Sequence, residues 1–117
     1  WGEPPIRDEK RLYDIIDALV KVGEGRGVSA AQVALSWLAG RPAVSTIIVG
    51  ARTEEQLKDN LAAASLVLTE EERKLLDDVS LLPLLYPYWH QLNAASRLGA
   101  ADLALLAPHV ARMKPRM

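Results

Sequence analysis

Apolar side chains at Leu12, Ile15, Ile16, Leu19 and Val22 recur at three- and four-residue intervals. On a 3.6-residue repeat they share one face, which predicts an amphipathic helix over about 8–23. Glycines at 23, 25 and 27 are expected to stop it. Ser29 and Gln32 then have the spacing of a capping box, and Val33, Ala34, Trp37 and Leu38 supply the buried side of a helix over about 30–40, before Pro42. Ser45-Thr46-Ile47-Ile48-Val49 breaks the helical rhythm. Its nearly continuous β-branched run, bounded by Pro42 and Gly50, predicts a strand over about 45–49 buried on both faces, as in a parallel sheet. Two more capping-box spacings follow, Thr53 to Gln56 and Thr69 to Glu72. With apolar faces at Leu57, Leu61 and Ala64, and at Leu75, Leu76 and Val79, they predict helices over about 54–65 and 70–80.

Four helices and one strand do not balance. A lone buried strand needs neighbours on both edges to satisfy its N–H and C=O groups, and no second run of comparable quality occurs in the sequence. The helix-strand-helix order therefore suggests the closing stretch of a larger α/β structure. After Ser80 the texture changes: Leu81 to His90 is apolar and aromatic with two prolines, and is expected to lie extended on another surface. Helical composition returns over about 94–106, interrupted by Gly99, and Pro108 is expected to end or kink any helix there. The reading thus divides the chain into residues 1–80 and a tail, 81–117.

Fourteen basic against fifteen acidic residues give a formal charge of −1, so no global field attracts nucleic acid or anionic lipid, and any anion site must be local. The absence of cysteine excludes disulfides, thiolate metal sites and a Cys nucleophile. The longest apolar runs fall short of a bilayer span, and charges interrupt the first residues, so neither membrane nor leader is expected and a cytoplasmic location is the default. Residue 1 is Trp, and Trp1-Gly2-Glu3-Pro4-Pro5 reads like a loop entered in mid-chain. The glutamates of 54–55 and 70–72 fit helix N-termini, where carboxylates complement the macrodipole, and no metal site is expected.

The most informative stretch runs from Val49 to Asn60. The predicted strand leads through Gly50 to a helix start, whose first N–H groups lack intrahelical partners and suit an anion. Arg52 adds a planar, permanently charged fork matched to phosphate oxygens. Steps of four lead from Arg52 to Gln56 and Asn60, a row with phosphate chemistry at its foot and amides for a base edge above. The same spacing fits an ordinary solvated helix that opens with a surface arginine.

Gly27-Val28-Ser29-Ala30-Ala31-Gln32-Val33-Ala34-Leu35-Ser36-Trp37-Leu38 resembles the segment before the last barrel strand of aldo-keto reductases. Ile47-Ile48-Val49-Gly50-Ala51-Arg52, with Gln56 and Asn60, resembles the strand and cofactor helix that follow there, and Leu68-Thr69 with its acidic turn resembles the next helix. The likeness covers residues 8 to about 80 in order. The tail from Tyr86 to Val110 resembles a bacterial subgroup of the family.

The resemblance implies an α/β fold, namely a C-terminal fragment of a (β/α)8 TIM barrel, mostly helical with one short parallel-type strand. It implies an NADPH-dependent reductase of aldehydes or ketones. Arg52 matches the residue facing the adenosine 2′-phosphate, Gln56 and Asn60 match residues near phosphate and adenine, and Gly50, Ala51 and Thr53 form the loop around them. The family's Asp, Tyr, Lys and His tetrad lies in earlier strands, and nothing in residues 1–117 matches its motifs, so no catalytic residue is expected here. Tyr13, Tyr86, Tyr88, His90 and His109 are not candidates, and Trp89 reads as packing more readily than as pocket lining. The expected partner is a small carbonyl substrate in a complete enzyme, with the isolated chain inactive and self-associating. The competing reading is a non-catalytic helical interaction module, or a nucleotide-binding remnant, derived from the same family.

Overall fold

A computed structural model describes residues 8–82 and 97–110. The chain divides into two compact units, residues 1–81 and 82–117.

In the first unit, α1 (Glu9–Arg26) starts at Asp8, whose carboxylate accepts the Arg11 amide at 3.0 Å. The expected stop at Gly23 does not occur. The helix passes through Gly23 and Gly25 and ends at Gly27, which takes the left-handed conformation at φ 66°. The Gly27 amide donates to the Glu24 carbonyl and the Val28 amide to the Gly23 carbonyl. This is a Schellman closure, which only a residue without a Cβ adopts without strain. A glycine within a helix weakens it by only about 1 kcal/mol, and Gly23 has a packing role. An added Cβ there would lie 2.7 Å from the Val28 carbonyl oxygen.

Helix α2 (Ala30–Ala39) is capped by Ser29, whose hydroxyl accepts the Gln32 amide. Helix α3 (Glu54–Ala62) is capped by Thr53 and runs into a single 3-10 turn at Ala63–Ser65. Helix α4 (Glu70–Ser80) has the complete capping box, with Thr69 accepting the Glu72 amide and Glu72 accepting the Thr69 amide.

The core of this unit is Val22, Val33, Leu68 and Leu76, with Ala18, Leu19, Val28, Trp37 and Leu66 against it. Helices α1, α2 and α4 and the segment before α4 thus bury one another, and Ser36 at the core's edge donates to the Leu66 carbonyl at 2.6 Å. Helix α3 differs. It holds no buried residue, and Leu57 and Leu61, expected to face a core, are exposed.

The predicted strand is not formed. Among the described residues there is no β-ladder, and residues 45–49 run without regular structure between α2 and α3. Within those residues, no amide from Ser45 to Gly50 donates to a backbone carbonyl. Expected burial on both faces fails with it, since Ile48 is 96% exposed. The physical reason is pairing: β-branched composition favours extended backbone, but a strand exists only against a neighbour.

In the second unit, α5 (Ala100–Val110) begins after Gly99, whose amide donates to the Asp102 carboxylate at 3.2 Å. The expected start near 94 lies outside the described residues, as does the tail from Pro83 to Gln91 with Tyr86, Tyr88, Trp89 and His90. Pro108 does not end the helix, which continues to Val110. No helix among the described residues is long and apolar enough to cross a membrane.

Candidate functional site

The loop from Gly50 to Thr53 is shaped by side chains of the helix that follows it. Gln56 returns its amide oxygen to the Arg52 N–H at 2.9 Å, and Asn60 donates its amide to the Gly50 carbonyl at 3.3 Å. Thr53 accepts the Gln56 amide at 3.2 Å. Gly50, Arg52, Thr53, Gln56 and Asn60 are thereby brought together, and Ala51 lies exposed between them. The four-residue spacing stacks Gln56 and Asn60 as expected of a helix face. What they hold is loop backbone.

The Arg52 guanidinium stands apart from the other arginines of residues 8–81. Arg11 donates to the Ser80 carbonyl, Arg26 pairs with Glu72, Arg41 with Asp77 across the face of Trp37, and Arg73 with Glu70. Among the described residues, Arg52 has no side-chain hydrogen bond or ion pair. Its fork is exposed and open to an anion from solvent.

The helix terminus offers less than its spacing suggested. The Gln56 amide is spent on Thr53, the Arg52 amide on Gln56, and the Glu55 carboxyl is held below its ordinary range by its own backbone amide and by the Thr53 hydroxyl. Anion binding here falls mainly to the guanidinium. Gln56 Nε2 and Asn60 Oδ1 have no hydrogen-bond partner among the described residues and remain available as one donor and one acceptor.

A cavity of about 270 Å³ lies between α2, α3 and residues 44–49, lined by Leu35, Val44, Ile47, Val49 and Leu61 among others, with Asn60 at its wall. Arg52 and Gln56 do not border it. The polar cluster is thus an open surface beside an apolar hollow. Among the described residues no group of His, Cys, Asp and Glu has the arrangement of a metal site.

Sequence reading missed Asp59. It accepts Ser29 Oγ and Gln32 Nε2, both at 2.6 Å, and ties α3 to the start of α2. These two bonds hold its carboxyl below the usual range, Ser29 contributing first. No spacing rule joins residues 29 and 59, and Asp59 stands between Lys58 and Asn60 in a polar stretch, so nothing in the sequence singled it out.

The sequence pattern of the Aldo/keto reductase family matches residues 3–81. An aldo-keto reductase of Aspergillus calidoustus is 34% identical over 116 residues, 98% of this chain and 27% of that protein. A norsolorinic acid reductase of Emericella nidulans is 34% identical over 74 residues, 63% of this chain and 19% of that protein. A putative voltage-gated potassium channel subunit beta of Schizosaccharomyces pombe is 32% identical over 80 residues, 67% of this chain and 23% of that protein. The chain belongs to the aldo-keto reductase family. It spans between 16% and 27% of the length of these and other curated relatives. Membership implies a piece of a barrel-forming oxidoreductase family, one that generally uses nicotinamide cofactors.

Proposed function

We propose that this chain is the C-terminal part of an NADPH-dependent reductase of aldehydes or ketones, and that it holds the adenosine 2′-phosphate end of the cofactor. The observation that carries the reading is the exposed, unpaired guanidinium of Arg52, carried on a loop already fixed by Gln56 and Asn60. A ready-formed loop with a free planar cation meets a phosphate dianion with little ordering left to do.

The residues present fit such a group. Arg52 would face the 2′-phosphate, Gly50, Ala51 and Thr53 would line the loop around it, and Gln56 Nε2 with Asn60 Oδ1 would offer one donor and one acceptor to the adenine edge. When bound, the cofactor supplies the hydride. These residues bind and orient, and the proton donor to the carbonyl belongs to parts of the enzyme outside this sequence. The apolar hollow beside residues 44–49 and the exposed Ile48 fit a surface that neighbouring barrel strands cover. A cytoplasmic location suits a cysteine-free, cofactor-dependent protein.

A second reading retains the fold and drops the chemistry: a non-catalytic interaction module that uses the unpaired segment 45–49 to pair with another chain. Genomic sequence upstream of Trp1 separates the two, since strands carrying Asp, Tyr, Lys and His motifs belong only to the first. The site itself is tested in the complete enzyme. Arg52→Ala is expected to weaken NADPH binding by about 1.5–3 kcal/mol, roughly ten- to a hundredfold, and to leave NADH nearly unchanged. Equal losses for both cofactors, with circular dichroism intact, would exclude the phosphate contact.

A further inference from the structure

Helix α3 carries the side chains that shape the loop, yet it buries none of its own residues. The first buried side chain after Thr53 is Ala63, beyond the helix end and three residues past Asn60. Apolar packing therefore does little to fix how the first two turns of α3 are rotated about their axis. A polar contact does. Asp59, half-buried and adjacent to Asn60, spends one carboxylate oxygen on Ser29 Oγ and the other on Gln32 Nε2. Ser29 in turn accepts the Gln32 amide at 3.1 Å, so cap, amide side chain and carboxylate close a ring at one helix terminus. With both oxygens engaged, the Asp59 side chain has one orientation that satisfies all its partners.

We propose that Asp59 is a positioning residue for the cofactor loop, locking α3 to the start of α2 so that Gln56 and Asn60 meet the Arg52 amide and the Gly50 carbonyl. The ligand side of this inference rests on the reading of Arg52 as the phosphate-facing residue; the clamp itself rests on the distances. Two charge-assisted bonds to one carboxylate exceed what neutral partners provide. Gln32 matters here as a long-range partner. Its side chain leaves the reciprocal role of a capping box and reaches Asp59, 27 residues away.

The experiment uses the complete protein and reads two quantities, amide hydrogen exchange residue by residue and calorimetric binding of 2′,5′-ADP, which carries the phosphate without the nicotinamide. In Asp59→Ala the Arg52 amide is expected to exchange about tenfold faster, and 2′,5′-ADP to bind about tenfold more weakly, the scale of one lost charge-assisted contact. The Arg73 amide, bonded to Thr69 in the cap of α4, should exchange as before. Asp59→Asn keeps one carbonyl acceptor and should recover part of both effects. Unchanged Arg52 exchange and unchanged binding in Asp59→Ala would overturn the proposal, as would equal acceleration at Arg52 and Arg73, which marks a general loosening. Failure of the phosphate reading looks different: the unaltered protein and Arg52→Ala would bind 2′,5′-ADP alike. The exchange of the Arg52 amide then decides alone whether Asp59 holds the loop.

Discussion

Arg26 meets Glu72 fork to fork, Nε to Oε1 and Nη2 to Oε2, both at 2.7 Å, joining the last turn of α1 to the first turn of α4. The third arm of the contact is Arg26 Nη2 to the Val67 carbonyl at 3.1 Å. The Arg26 bonds bring the Glu72 carboxyl from 4.5 down to about 2, against an opposing push from burial and with help from the Thr69 amide. A carboxyl whose folded pKa lies below its unfolded value contributes stability above the unfolded value and loses it as pH falls through the folded one. The window therefore runs from about 4.5 down to about 2. Arg26→Gln is expected to lower stability at neutral pH only modestly, because both side chains remain partly in water. Thermal unfolding of the two proteins from pH 7 to pH 2 should show the difference shrinking across that window. A gap that stays constant with pH would rule out the ion pair as its source.

Gly23 and Gly25 occupy the same helix with opposite surroundings. A Cβ at Gly23 meets the Val28 carbonyl oxygen at 2.7 Å, and one at Gly25 meets nothing within 4 Å. Gly23→Ala is expected to destabilise by about 1–3 kcal/mol, because backbone must move to admit the methyl. Gly25→Ala should stabilise by about 0.5–1 kcal/mol through helix propensity and a less flexible unfolded chain. Chemical denaturation of both variants checks the pair. A destabilising Gly25→Ala would mean that α1 bends at that point.

The parts of the fold legible in the sequence are those closed within one turn. Asp8, Ser29, Thr53 and Thr69 each accept an amide three residues on, a contact that local spacing dictates. The reciprocal half of each box was legible only for Glu72. Gln32 and Gln56 found other partners: Gln32 a carboxylate brought up by the fold, Asp59, and Gln56 the Arg52 amide, one residue before the cap. The β-branched run 45–49 showed a preference for extension, but pairing belongs to the surroundings. The run therefore lacks a ladder here. At the candidate site, the stacking of Gln56 and Asn60 was readable from helix geometry, whereas their hold on the loop depends on how the chain turns back at Gly50 and Arg52 before the helix.

Unpaired extension has a consequence in solution. Ile48 is 96% exposed in a β-branched segment beside an apolar hollow, the composition that templates pairing with another chain. The 117-residue chain by itself is expected to self-associate, and Ile48→Lys to shift it towards monomer by placing a charge on the pairing segment. Light scattering across a concentration series checks this. A stable monomer before any substitution would show that residues 44–49 need no cover.

Asn60 provides the sharpest contrast with Arg52. Its amide group donates to the Gly50 carbonyl, and its Oδ1 has no hydrogen-bond partner among the described residues. In the proposed complex both atoms serve features that NADPH and NADH share, the loop and the adenine. Asn60→Ala is therefore expected to weaken the two cofactors by the same factor, about fivefold for one neutral hydrogen bond worth roughly 1 kcal/mol. Asn60→Asp replaces the donor by a second acceptor facing the Gly50 carbonyl. It should weaken both further, because two oxygens then oppose each other and a negative charge enters the surroundings of the phosphate. Its effect should be larger on NADPH, the cofactor with the extra phosphate. Titration of each variant with each cofactor gives the four ratios. If Asn60→Ala discriminated between NADPH and NADH as strongly as Arg52→Ala does, the separation of phosphate and adenine roles between Arg52 and Asn60 would be wrong.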